Sequence, residues 1–140
     1  MERIGQVQHS ASRSVRYDGE ETTDKVVALA GVGPLGEYAD RAGLTAGFAA
    51  AVPYRGPGAP VVDRGALLVH SLVMLNAGGE CCTDLAMLGA AEGVLDDVGS
   101  DMTFRRIIAD FAANPDGTAA VEDVMAHVRT RVWDQHGWSD

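Results

Sequence analysis

A chain of 140 residues is long enough for one domain with one hydrophobic core. Its 20 acidic side chains outweigh 11 basic ones, and the net charge of −9 argues against general adhesion to nucleic acid or anionic lipid, so any DNA contact has to be local. Only 6% of residues are aromatic, so the core has to be built mostly from Ala, Val and Leu.

Residues 1–14 show no periodicity and read as a disordered arm ahead of one helical domain over 15–140. Two β-branched runs, 15–17 and 26–29, flank an acidic, turn-like stretch and suggest a short N-terminal β-hairpin. The first 25 residues are polar and carry no apolar export signal, which sets the expectation of a cytoplasmic protein. Pro34 suits a first helical turn, followed by a short helix over 35–42 that stops at Gly43. A second short helix fits 45–52, and the prolines and glycines of 53–60 mark a loop.

The stretch 63–77 is the hub of the chain. Asp63 is a good N-cap and Gly78-Gly79 a good stop. Between them Ala66, Leu67, Leu68, Val69, Leu72, Val73, Met74 and Leu75 cover nearly the whole circumference. A helix apolar all round has no solvent face and has to be enclosed by its neighbours. It is too short, and too interrupted by His70, Ser71 and Asn76, to span a membrane. Residues 83–91 follow as an Ala/Leu/Met helix. Ser100 caps the next helix, where Phe104, Ile107, Ile108 and Phe111 form one i, i+3, i+4, i+7 stripe. Asn114-Pro115-Asp116-Gly117 reads as a turn, and Thr118 as the cap of a last helix to about His136. The core stripe of that helix is Val121, Val124, Met125, Val128 and Val132, with Trp133 beside it. The fold class is therefore mainly α, a small helical bundle around a buried central helix.

Several patterns imitate chemistry. Gly31-Val32-Gly33-Pro34-Leu35-Gly36 has the glycine spacing of a dinucleotide-binding turn. Pro34 removes one N–H from that cradle, and no acidic residue stands at 50–52, where the ribose partner belongs. Asp96, Asp97 and Asp101 lack the alternating ligands and terminal Glu of a calcium loop, and read as acids at a helix start. The adjacent Cys81 and Cys82 have poor geometry for a disulfide and no further Cys/His pair for zinc. No catalytic residue, cofactor or metal site is assigned. What remains is the segment 100–108, a capped helix with small polar and Arg residues near its start. A DNA-recognition helix is built in this way, with Thr103, Arg105 and Arg106 as the candidate contacts, but most amphipathic core helices look the same, and the preceding connection 92–99 is too long for a tight helix-turn-helix.

An ordered series of short motifs bears on this. Gly43-Leu44-Thr45, Asp63-Arg64-Gly65, Leu72-Val73-Met74-Leu75 followed by Gly78-Gly79-Glu80, Asp84-Leu85-Ala86 with Leu88, Ser100-Asp101-Met102-Thr103 with Arg106, and Arg131-Val132-Trp133 run through the chain. Together they resemble the N-terminal helical region of DDE transposases of the insertion-sequence-thirteen-eighty family. Two positions depart from the pattern: Gly89, where a basic residue tends to stand, and Met102, where proline is common. The resemblance implies a role in recognising the terminal inverted repeats of a mobile element and in assembling the complex that joins them. In that family the catalytic carboxylates hold two divalent metals and lie on a later RNase-H-like domain. The expectation is thus a truncated transposase-like protein, not an enzyme in itself. Its partners would be DNA, a full-length transposase or a second copy, with no membrane. The other expectation is a small helical interaction module without DNA binding, either an inhibitor of transposase assembly or an inert remnant.

Overall fold

The computed structural model describes residues 9–11, 31–91, 95 and 97–138. The segments expected to form a hairpin, 15–17 and 26–29, lie outside them. The described residues form a helical bundle: α1 (Val32–Ala42), α2 (Leu44–Ala51), α3 (Arg64–Asn76), a 3₁₀ helix (Cys82–Ala91), α4 (Asp101–Ala112) and α5 (Pro115–Gln135). There is no β-strand among the described residues.

Helix α3 is the hub. It packs against α1, α2, α4 and the 3₁₀ helix, while α5 lies outside, on α2, α4 and the end of α1. The Asp63 side chain accepts the Ala66 N–H at 2.9 Å and so satisfies one of the free amides of the first turn. At the other end Gly79 N–H reaches Met74 O and Gly78 N–H reaches Leu75 O, with Gly78 at φ +95. This paired closure uses a left-handed residue that only glycine adopts without cost. Leu67, Val69, His70, Val73 and Met74 are sealed from solvent. The enclosure is incomplete, since Leu68 and Leu72 are half-buried and Leu75 is exposed.

Two glycines set how the hub meets its neighbours. Gly43, at φ +80, ends α1 and starts α2 in one step. Gly65 is buried where α2 crosses α3. A Cβ there would overlap the Thr45 carbonyl and lie 2.7 Å from Ala49 N. The helix backbones touch, which is a contact that only glycine allows.

Two expectations are corrected. The residues 83–91 wind as a 3₁₀ helix rather than an α-helix. In a 3₁₀ helix residues three apart lie on one face, and Cys82, Leu85 and Leu88 have that spacing. Leu85 and Leu88 are fully buried and Cys82 packs beside them. The winding starts where Asp84 accepts the N–H groups of Glu80 at 2.8 Å and Cys81 at 3.0 Å. Second, the turn at Asn114–Gly117 is the start of α5 itself, and Thr118 does not cap it. Its first central residues take near-helical dihedrals, and Pro115 at the first helical position lacks only an N–H that would be unpaired there. Of the expected arm 1–14, only 9–11 are among the described residues, and these contact the bundle. His70 Nε2–H donates to the Ala11 carbonyl at 2.7 Å, and Asp40 accepts from Ser10 Oγ at 2.9 Å and from Ala11 N at 2.8 Å. The His9 ring bonds Asp63. No helix among the described residues is long and apolar enough to cross a membrane.

Candidate functional site

Helix α4 carries the three residues expected to meet DNA. Ser100 Oγ accepts Thr103 N–H at 3.2 Å, so the helix start is capped as expected. Phe104 and Ile107 bury their side chains towards the core. Ile108, from the same sequence stripe, is 40% exposed, so the apolar face is narrower than its spacing suggests. The opposite side presents Met102, Arg105, Arg106, Ala109 and Asp110 to solvent.

The three candidates are not equivalent. Thr103 is half-buried, and its Oγ1 lies 3.0 Å from Ser100 Oγ, so its hydroxyl is engaged in the cap. Arg105 Nε lies 3.6 Å from Asp101 Oδ2, one turn back, in an exposed pair that salt screens readily. Arg106 is exposed, and no ion pair holds it among the described residues. The helix thus offers one unpaired guanidinium, one loosely paired and a hydroxyl turned to its own cap. Successive residues on a helix diverge by about 100°, so Arg105 and Arg106 flank the exposed face rather than stack on it.

The motif residues mostly have structural roles. Thr45 is fully buried and its Oγ1 donates to Asp40 Oδ1 at 2.5 Å. Asp63 caps α3, Gly65 lets α2 approach, Gly78-Gly79 close α3, and Asp84 anchors the 3₁₀ helix. Arg131 NH1 reaches the Ala42 carbonyl at 3.4 Å and fastens α5 to the end of α1. Trp133 is 46% exposed, with the Arg129 guanidinium 5.8 Å from its ring centre.

A cleft of about 470 Å³ opens at the far end of α4. The loop 53–56, the last turn of α4, the start of α5 and the first residue of α3 line it. Arg64 is half-buried there, with a side chain only 10% exposed. Its NH2 donates to Asp110 Oδ2 at 2.9 Å and its NH1 reaches the Pro53 carbonyl at 3.5 Å, while Nε is buried with no partner. Asp110 is itself 65% exposed. Sequence reasoning placed Arg64 only within a motif and gave it no task. A signal was available, because a cation at the first position of a helix opposes the helix dipole. Such a local conflict marks a residue kept for another reason.

Among the described residues no three His, Cys, Asp or Glu side chains are grouped to hold a metal ion. Comparison with protein-family models, with curated proteins and with solved structures finds no match to this chain.

Proposed function

We propose that this chain is a transposase-like DNA-recognition and assembly domain, in which α4 meets the ends of a mobile element and α3 is the platform that presents it. The observation that carries the reading is the exposed, unpaired Arg106 on a Ser100-capped helix whose other face is fixed by Phe104 and Ile107. Arg105 joins it when DNA phosphate displaces Asp101, and Thr103 serves the cap. The motif series supports the reading independently of this geometry. Catalysis is not assigned to any residue of the chain. Selection of duplexes from a randomised pool at low salt tests it. Enrichment of an inverted-repeat motif is expected, and a folded protein that enriches nothing contradicts the proposal.

A second reading has its own observation. Helix α5 exposes Met125 and Trp133, and Trp138 follows at 67% exposure. Large aromatics of this kind are frequent energetic centres of protein interfaces. With a net charge of −9, an interaction module that pairs with a full-length transposase, or with itself, accounts for these side chains. A strictly monomeric chain that does not co-purify with a full-length transposase of that family would remove it.

A further inference from the structure

We propose that the cleft at Arg64 is a binding site for a small oxyanion, a carboxylate or phosphate carried on a molecule with a flat apolar portion. The site does not rest on the DNA reading. It lies at the Asp110 end of α4, about 15 Å along the helix from Ser100 at 1.5 Å per residue.

Charge comes first. Arg55 and Arg64 line the cleft against the single acid Asp110. The first turns of α3 and α5 both reach it, through Arg64 and through Asn114 and Gly117. Helix starts carry partial positive charge. Pro115 has no N–H, and Gly117 N–H is bonded to Asn114 O at 2.9 Å, so α5 contributes its dipole rather than a nest of free amides. On a molecule of net charge −9 this is a local positive cavity.

The second observation is the unfinished bonding of Arg64. Nε–H and one N–H of NH2 point the same way on a guanidinium and together accept two oxygens of one oxyanion. Asp110 takes NH2 alone and leaves Nε buried and unbonded. A buried donor without a partner is rare and calls for an explanation. An oxyanion spanning Nε and NH2 completes the fork, and the exposed Asp110 gives way to it. Pro53, Tyr54, Arg55 and Gly56, the loop side of the cleft, are all exposed. Phe111, Tyr54 and Val52 supply apolar wall, and the volume lies within the range of small-molecule sites. The exposed Arg55 then closes on the bound group.

The test follows arginine Nε–H resonances of the full chain by NMR, titrated at low salt with inorganic phosphate and, separately, with benzoate. Arg64→Lys and Arg55→Gln assign the two signals. Saturable shifts of the Arg64 signal at millimolar ligand are expected, and Arg55→Gln is expected to weaken binding about tenfold, the loss of one charge-assisted contact. Response to benzoate alone names a carboxylate source, to phosphate alone a phosphate source, and to both the shared oxyanion chemistry. Absence of saturation with either probe overturns the proposal, as does unchanged binding in Arg55→Gln. That second criterion holds even if Arg64→Lys fails to fold, because Arg55 is exposed.

Discussion

Gly65 shows what a single residue can decide here. Its missing Cβ lets α2 lie against α3 at backbone distance. Gly65→Ala is expected to destabilise by about 3 kcal/mol, because the atoms it meets are backbone and cannot turn aside. Urea unfolding with an unchanged m-value checks this. The sequence showed Asp63-Arg64-Gly65 as a motif but not this contact, since the crossing partner is some twenty residues earlier in the chain. Caps were legible for the opposite reason: Asp63 and Ser100 act on amides three residues away. Asp84 is a further local anchor, whose carboxyl is held below its ordinary value of 3.8 by N–H bonds from Glu80 and then Cys81. A lowered carboxylate stabilises the fold fully above that value and loses its effect as the pH falls through the folded pKa. Asp84→Asn is therefore expected to be less stable than the parent at neutral pH. The gap should narrow below pH 3.8 in paired acid-unfolding curves.

At the scale of elements, α3 and α4 were readable and start at the expected caps Asp63 and Ser100, whereas α1 and α5 begin a few residues ahead of expectation. The failures share one cause, which is that tertiary packing chose between local options. Residues 82, 85 and 88 present a three-residue period that the core rewards, so the segment winds as a 3₁₀ helix. Asn114-Pro115-Asp116-Gly117 is competent both as a turn and as a helix start, and α5 takes it as the start. Two substitutions separate these roles. Ser100→Ala is expected to cost about 1 kcal/mol, the usual loss of an N-cap. Thr118→Ala, on an exposed position inside the first turns of α5, is expected to change stability by less than about 0.5 kcal/mol. Thermal unfolding of both variants checks the pair, and an equal loss in each would restore Thr118 as the cap.

For the molecule as a whole, the mainly α bundle around one central helix was legible because the apolar circumference of residues 63–77 admits no other arrangement. The residues proposed to contact DNA were legible as types and less so as positions in the fold. Thr103 turned towards Ser100, Arg105 paired with Asp101, and only Arg106 stood clear. The Arg64 cleft was not legible, because its walls come from segments joined only by folding. The acidic charge bears on the central proposal directly. From Asp63 to Phe111 three bases stand among eight acids, so specific binding has to survive an unfavourable general field. The decisive measurement is binding of the selected inverted-repeat duplex as a function of salt, for the parent, Arg106→Gln and Arg129→Gln. Recognition by α4 requires that Arg106→Gln weaken binding and reduce the salt slope by about one, while Arg129→Gln, on α5, leaves both unchanged. Equal behaviour of the parent and Arg106→Gln, or no binding by the folded chain at low salt, would contradict it.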